Sequence, residues 1–194
     1  MSQIKEIQLR RATVADAQAI AAIRIEGWRI SYRGMIPDSY LENMQLDENV
    51  LHWRTILQAL PAKEDSLCVY VAVNDEEIVG FVSAMKLPEA KLDKDAEINA
   101  IYMRPQWQRC GIGKRLLHKA TRSLQAMGCT SCVIWVIDGN SQARNFYEEL
   151  GGEILVEQDF NWDGLELTEV GYGWQDLNVP LASAEALPFP PAMQ

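Results

Sequence analysis

One short stretch constrains the fold of this chain more than any other, the hexapeptide Gln108-Arg109-Cys110-Gly111-Ile112-Gly113. A strand-like pattern from Ala96 to Met103 precedes it, and Pro105 stops that strand because proline has no N–H to continue a sheet ladder. After the hexapeptide, apolar residues recur at three- and four-residue steps, which predicts an amphipathic helix from Ile112 to Ala126 that Gly128 ends. The two glycines of the stretch therefore lie where a strand passes into the start of a helix.

A helix start of this kind leaves backbone N–H groups unpaired, and such groups attract an anion, most often a phosphate. Arg109, Lys114 and Arg115 add positive charge at the same place. The stretch is not a P-loop, because Gly113-Lys114 is followed by arginine and not by serine or threonine. It has two glycines where the Rossmann fingerprint needs three. The pattern predicts a pyrophosphate-binding loop of another type.

The composition is that of a soluble globular protein of one domain, with 194 residues of which 48% are hydrophobic and 23% charged. The sequence has no apolar run long enough to cross a membrane and no signal peptide pattern at its start, so we expect a cytoplasmic protein. The net charge of −9 argues against nucleic acid as a partner and slightly favours a cationic substrate. A region rich in proline and alanine closes the sequence, which predicts a domain over 1–177 and a loose tail over 178–194.

The four cysteines do not predict a metal site. Cys129 and Cys132 have the spacing of a redox or half-zinc motif, but there is no second pair, and the two histidines, His52 and His118, are distant in sequence. We therefore expect reduced thiols next to a buried strand and no bound metal.

The predicted order of elements is strand, two helices, three strands, helix, strand, helix and two strands. Thr13 is the predicted cap of the first helix, and Asp47 that of the second, at Val50 to Leu60. Asn74 to Glu77 is predicted to turn a hairpin, and Leu87 to Lys94 to form a polar loop. The remaining elements are expected at Cys132 to Ile137, Ser141 to Leu150, Ile154 to Asn161 and Leu165 to Trp174. This order indicates an α/β (α+β) fold, a mixed sheet of about seven strands with about four helices on its two faces.

Together these features resemble the GNAT superfamily of N-acetyltransferases, in particular bacterial members of unassigned substrate. The loop matches the family pattern Gln/Arg-x-x-Gly-x-Gly/Ala, and Asn140-Ser141-x-Ala143-x-x-Phe146-Tyr147 matches its second cofactor motif. The segment with Trp28, Tyr32 and Ile36-Pro37 also looks like these relatives. The resemblance covers most of the chain and implies the GNAT fold, with acetyl-CoA (coenzyme A) as cofactor.

The resemblance also assigns cofactor-binding residues. It implies that the pyrophosphate lies on the loop and that the pantetheine arm lies along the central strand and the second motif. The residues so assigned are Ile101, Tyr102, Met103, Gln108, Arg109, Cys110, Gly111, Ile112, Gly113, Lys114, Asn140, Arg144 and Tyr147.

Acyl transfer to an amine needs a base for the amine proton and an acid for the leaving thiolate. Tyr147 matches the tyrosine that protonates the thiolate in many relatives. Glu97 falls where relatives that acetylate histones place the base, and strand alternation predicts that Glu97, Asn99 and Ile101 share one face. Asp95 and Asn99 are the alternatives to Glu97, because the carboxylate shifts by a residue or two among relatives.

The acceptor is less defined. Trp28, Tyr32 and Asn99 are candidate substrate-binding residues, and aromatic walls favour a cationic or flat ligand. Arg29 and Arg33 are candidates for binding a carboxylate instead, which would indicate an amino acid. We expect direct attack in a ternary complex by a small amine or a peptide amino group. A protein N-terminal or lysine acetyltransferase and a non-catalytic acyl-CoA sensor are the alternatives, and the resemblance allows a homodimer.

Overall fold

The computed structural model describes residues 7–162 and 164–179, and within them the chain forms one mixed sheet of seven strands. The strands, in chain order, are β1 Gln8–Arg11, β2 Leu67–Asn74, β3 Glu77–Lys91, β4 Lys94–Met103, β5 Cys132–Ile137, β6 Glu153–Trp162 and β7 Leu165–Trp174. The helices are α1 Ala17–Ser31, α2 Asp38–Glu42, α3 Leu46–Ala59, α4 Ile112–Ala126 and α5 Ser141–Glu149. The spatial order of the strands is β1-β2-β3-β4-β5-β7-β6, which confirms the predicted mixed sheet.

Helices cover the sheet on both faces. The apolar sides of α4 and α5 pack on one face, around Leu116, Leu124 and Leu150. Helices α1 and α3 pack on the other, around Ile20, Trp53 and Phe81. Each helix is amphipathic and buries one stripe, so a sheet with two apolar faces needs helices on both.

The predicted capping pair Thr13 and Asp16 is present, but Thr13 caps a short 3₁₀ turn and not α1 itself, which begins at Ala17 after Asp16. The Asp16 carboxylate accepts a hydrogen bond from the Thr13 N–H at 2.7 Å and completes a capping box, after which a single 3₁₀ turn leads into α1. The predicted cap at Asp47 is wrong, because α3 begins at Leu46 after Gln45 and Asp47 lies within its first turn. The short helix α2 was not predicted, since five residues after a proline carry too little periodicity to be recognised.

The predicted polar loop at Leu87 to Lys94 is also wrong. β3 continues to Lys91 and β4 begins at Lys94, so the two strands form a long hairpin arm. Leu92 and Asp93 make its two-residue turn, with φ of 53° and 58°. Most side chains of the arm are exposed and follow no regular alternation of apolar and polar residues, so its strand structure depends on backbone pairing that hydrophobic patterning does not reveal.

A β-bulge in β4 determines which side chains face the two helical layers. Ala84 pairs with Ile98, but the next residue of β3 towards the N-terminus, Ser83, pairs with Ala100, so Asn99 is an extra residue. Before the bulge, Ile98 faces the α4 layer; after it, Ala100 faces α1 and α3. The bulge therefore reverses the alternation of side chains along the strand.

This reversal corrects the predicted common face of Glu97, Asn99 and Ile101. Glu97 alternates with Ile98 and so projects towards the α1 and α3 side, as Tyr102 does beyond the bulge. Ile101 packs against the opposite layer. Glu97 and Ile101 are thus on different faces, because one inserted residue shifts a period of two by one step.

The sheet splits at its centre. The parallel pairing of β4 with β5 has a single register pair, Glu97 with Val133, and the two strands separate beyond it. This split is the main feature that positions the site. Within residues 7–162 and 164–179, no helix is both long and apolar enough to cross a membrane. The predicted tail lies outside the described residues from position 180 onward.

Candidate active site

A pocket of about 370 Å³ opens where β4 and β5 separate. Its walls come from the end of α1, from β4, from the loop before α4, from β5 and from α5. Its lining includes Tyr32, Asn99, Ile101, Tyr102, Met103, Gln108, Arg109, Gly111, Gly113, Lys114, Trp135, Asn140, Gln142, Phe146 and Tyr147. Most of the residues predicted for cofactor binding therefore lie around one pocket, although they are spread over four separate elements.

The loop before α4 has the backbone of an anion-binding loop. Gly111, the residue before the helix, has φ of 76°, and Arg109 has φ of 61°, a left-handed conformation that is uncommon for a residue with a side chain. A Cβ on Gly113 would lie 2.9 Å from Met103 Cε and 3.2 Å from Phe146 Cζ. The glycines thus permit both the sharp turn and the close packing that brings the first N–H groups of α4 to the pocket, where an anion fits.

Tyr147 lies on α5 at the side of the pocket. Asn140 begins that helix by accepting a hydrogen bond from the Ala143 N–H at 3.1 Å, and both residues line the pocket. The Tyr147 ring packs against Tyr172 and Trp174, and only 5% of the residue is exposed. Burial, and to a lesser extent Tyr102, raises the pKa of Tyr147 above its usual 10. Its hydroxyl has no hydrogen-bond partner among residues 7–162 and 164–179, so its proton is available to a ligand.

The candidate base, Glu97, stands next to the pocket and not in its wall. Its Oε1 accepts a hydrogen bond from the Asn99 side-chain N–H at 3.2 Å, and Asn99 does line the pocket. The alternative carboxylate, Asp95, is occupied elsewhere: it accepts four hydrogen bonds from the backbone and hydroxyl groups of Thr130 and Ser131. Of these carboxylates, Glu97 is the one near the pocket.

Several predicted residues lie outside the pocket wall. Arg144 donates to the Tyr172 hydroxyl at 3.1 Å and forms an ion pair with Asp138, so it ties α5 to β5 and β7. The Cys110 thiol is exposed and Ile112 is buried beneath the loop. Arg29 donates to the backbone oxygens of Leu41 and Glu42, a contact that holds α2 in place. A carboxylate of the substrate would have to displace that contact.

The α1 side of the pocket is aromatic, as predicted, although Trp28 contributes indirectly. Trp28 Nε1 donates to the Tyr102 hydroxyl at 3.0 Å, while the buried Tyr32 lines the pocket itself. Sequence reasoning missed Trp135 and Gln142. The alternation of side chains along β5 would have placed Trp135 on the α1 side, because Ile134 and Val136 pack on the opposite face. The Gln142 side chain donates a hydrogen bond to the Gln108 side chain at 2.8 Å, and no pattern in the local sequence predicts this contact.

Among the described residues, the thiols and charged side chains do not cluster into a metal-binding group. All four cysteines are free, and burial raises the pKa of Cys132 and, to about 11, that of Cys68. The described part of the chain contains no group of three or more histidine, cysteine or acidic residues that could hold a metal ion.

Comparisons with known proteins agree with this geometry. Residues 29–152 match the model of the acetyltransferase (GNAT) family. An uncharacterized N-acetyltransferase of Bacillus subtilis, YuaI, is 31% identical over 173 residues, which cover 89% of this chain and 95% of that protein. The spermidine N(1)-acetyltransferase of Thermoplasma acidophilum is 23% identical over 76% of this chain and 89% of its own length.

Solved structures share the fold. The PaiA N-acetyltransferase of Thermoplasma acidophilum, crystallised in complex with coenzyme A, superposes with a TM-score of 0.66 at 21% identity. The match covers 84% of this chain and 98% of that one. With the family match over residues 29–152 and the Bacillus relative, it follows that this chain belongs to the GNAT acetyltransferase family and is an N-acetyltransferase that uses acetyl-CoA.

Proposed function

We propose that this enzyme transfers the acetyl group of acetyl-CoA to a primary amine of a small molecule, by direct attack in a ternary complex. The observation that carries the proposal is the meeting of three parts in one pocket. These parts are the anion-binding loop, the segment of β4 that has separated from β5, and the Tyr147 hydroxyl, which bonds to none of the described residues. Acyl transfer from a thioester requires a site for the phosphates, alignment of the pantetheine arm and a proton for the leaving thiolate.

The loop residues would hold the pyrophosphate, mainly through backbone N–H groups at the start of α4. The pantetheine arm would lie between β4 and α5, against Ile101, Met103 and Asn140. Tyr147 would give its proton to the departing thiolate, since its raised pKa keeps the phenol neutral at physiological pH. The chemistry of the residues that line the pocket supports these proposed roles.

An alkylamine has a pKa near 10.4 and must lose a proton before it attacks. We propose that Glu97 accepts this proton through a water molecule, because its carboxylate is adjacent to the pocket but separated from it by Asn99. The Asn99 amide would hold the carboxylate in this orientation. Among relatives, the spermidine N(1)-acetyltransferase acts on a cationic amine. The net charge of −9 here agrees with an acceptor of the same kind.

The test is acetyl-CoA binding by calorimetry, followed by release of the CoA thiol with a panel of polyamines, amino acids and lysine peptides. We expect binding, with turnover of at least one small amine, and Glu97→Gln should lower kcat/KM most at low pH, where the amine is most protonated. Turnover of peptides alone would contradict the small-molecule acceptor and favour protein acetylation. Binding with no turnover of any amine would contradict catalysis and favour the sensor.

A further inference from the structure

A second tyrosine, Tyr102, faces the same pocket from the opposite wall. It lies on β4 beyond the bulge, in the part of the strand that has left β5, and its side chain projects to the α1 side. The Tyr102 hydroxyl lies 3.0 Å from Trp28 Nε1, and the Trp28 ring packs against Tyr32, which also lines the pocket. Tyr102 therefore lies beside the α1 wall of the pocket, away from the loop that carries Arg109 and Lys114.

The position of the Tyr102 ring is determined by close packing. A Cβ on Gly27 of α1 would lie 2.6 Å from Tyr102 Cδ1, so the ring lies directly against the helix backbone. On its other side the ring packs against Phe81, with ring centres 5.8 Å apart. Substitutions that preserve the ring should therefore preserve its place.

The Tyr102 oxygen is held by Trp28. The indole N–H can only donate, so in the 3.0 Å contact the Tyr102 oxygen is the acceptor. Trp28 itself is held by the edge of Tyr32, with ring centres 5.1 Å apart, and by the Arg24 guanidinium, 4.6 Å from the indole centre. A hydroxyl that accepts a hydrogen bond becomes a better donor, because bonds in a chain polarise one another.

The reaction needs such a donor. As the nitrogen lone pair forms the new C–N bond, the π electrons of the thioester carbonyl move to its oxygen. When they return, the C–S bond breaks and the thiolate takes the Tyr147 proton. The nitrogen, which became positive on forming the C–N bond, loses its extra proton through water, and this proton restores the Tyr147 hydroxyl. The cationic lining side chains, Arg109 and Lys114, belong to the phosphate loop, so the charge on the carbonyl oxygen must be stabilised by neutral donors.

We propose that the Tyr102 hydroxyl is a catalytic hydrogen-bond donor to the thioester carbonyl oxygen, and that Trp28 is the residue that positions it. The proposal rests on the proposed function. Burial raises the pKa of Tyr102, which keeps the hydroxyl protonated throughout the working pH range. Tyr102 thus acts on the carbonyl while Tyr147 acts on the sulfur.

The direct test is the infrared band of the carbonyl in acetyl-CoA, isotopically labelled at the acetyl carbon and bound to the enzyme without an amine. A hydrogen bond lowers the stretching frequency of a carbonyl, so Tyr102→Phe should move the band to higher frequency. The matched control is Tyr70→Phe, which also removes a bonded hydroxyl, 2.8 Å from Ser123 Oγ, but on the α4 side and outside the pocket lining. The control should leave the band unchanged.

Turnover gives the second readout. Tyr102→Phe should lower kcat about a hundredfold with little change in the amine KM, as expected for loss of one donor to a developing negative charge. Trp28→Phe should lower kcat about tenfold, and in the Tyr102→Phe background it should have no further effect, because it acts through the missing hydroxyl. A fully additive double variant would show that Trp28 has only a structural role.

An unshifted band in Tyr102→Phe would overturn the assignment. A raised amine KM with unchanged kcat would also overturn it, since the hydroxyl would then bind the acceptor and not the carbonyl. Failure of the proposed function is a separate result: wild-type protein would show no calorimetric binding of acetyl-CoA.

Discussion

At the scale of single residues, the site depends on tyrosines that line the pocket and whose raised pKa values keep them neutral. Tyr147 is buried by other aromatic rings, which hold its pKa high, and its hydroxyl is left for a ligand. A protonated phenol that is not committed to the protein is suited to protonate a thiolate.

We expect Tyr147→Phe to lower kcat about 10²- to 10³-fold and to leave the acetyl-CoA dissociation constant nearly unchanged, because the ring stays and one proton donor is lost. Steady-state kinetics and calorimetry measure the two effects. Because burial raises the pKa of this tyrosine above 10, its ionisation should not lower wild-type kcat below pH 10. An unaltered kcat in Tyr147→Phe would show that another group protonates the thiolate.

Asp95, which the sequence suggested as an alternative catalytic base, has a structural role, because its carboxylate accepts four hydrogen bonds from Thr130 and Ser131. Burial alone would raise its pKa, but the hydrogen bonds from Thr130 and Ser131 outweigh burial and hold the pKa below the usual 3.8. A carboxyl with a lowered pKa in the folded state stabilises the fold above the unfolded pKa, and this stability is lost as the pH falls through the folded pKa.

Asp95→Asn should therefore lower the free energy of unfolding by about 1.5–3 kcal/mol at neutral pH, the range for hydrogen bonds to a charged group. Denaturant unfolding at a series of pH values measures this loss. The difference from wild type should begin to shrink below about pH 4, where the Asp95 carboxyl of the unfolded chain becomes protonated, and should be lost as the pH falls through the lower pKa of the folded state. Asp65→Asn, at an exposed turn, is the control and should show little change. A loss independent of pH would contradict the role of the charge.

At the scale of elements, helix α4 carries glycines with left-handed φ at both ends. Gly111 precedes it with φ of 76° and Gly128 follows it with φ of 82°, and a Cβ would meet no atom within 4 Å at either position. The two positions have the same backbone requirement, but only Gly111 borders the pocket. They form a matched pair that separates stability from binding.

Gly111→Ala and Gly128→Ala should each lower the free energy of unfolding by about 1–2 kcal/mol, the cost of the left-handed conformation for a residue with a Cβ. Gly111→Ala should in addition weaken acetyl-CoA binding, because relaxation of the loop turns the N–H groups away from the phosphates. Thermal unfolding and calorimetry measure the two quantities. Equal acetyl-CoA affinity in the two variants would show that the loop does not bind the phosphates.

At the scale of the whole molecule, the charge distribution favours encounter with cations. The net charge of −9 attracts a cationic amine over distances comparable with the Debye length, which is about 10 Å at 0.1 M salt. The proposed phosphate-binding loop is locally basic in this acidic protein, because it carries Arg109 and Lys114. Its positive charge would attract the anionic acetyl donor, acetyl-CoA.

For a polyamine acceptor, kcat/KM should therefore fall several-fold as salt is raised from about 20 mM to about 300 mM, since the attraction is screened. The same measurement with an acceptor that carries a carboxylate beside its amine should show a much weaker dependence. A kcat/KM for the polyamine that does not vary with salt would remove net charge as an argument for a cationic acceptor.

The sequence alone determined the parts of the structure that depend on local chemistry. Helix α4 and strand β5 have the predicted bounds, and the turn at Asn74 to Glu77 was identified. These features follow from periodicity, turn residues and backbone angles that only certain residues favour. Tyr147 was predicted to face the site because its motif sets its place on α5.

Contacts between segments that are distant in the sequence could be seen only in the tertiary structure. The bulge at Asn99 separated Glu97 from the face of Ile101, because the extra residue is defined only by pairing with β3. Arg144 was drawn away from the pocket by Tyr172 and Asp138, which belong to other elements. The contact of Trp28 with Tyr102 joins residues 74 positions apart. Such contacts arise from packing of the finished sheet and helices, and no local pattern in the chain encodes them.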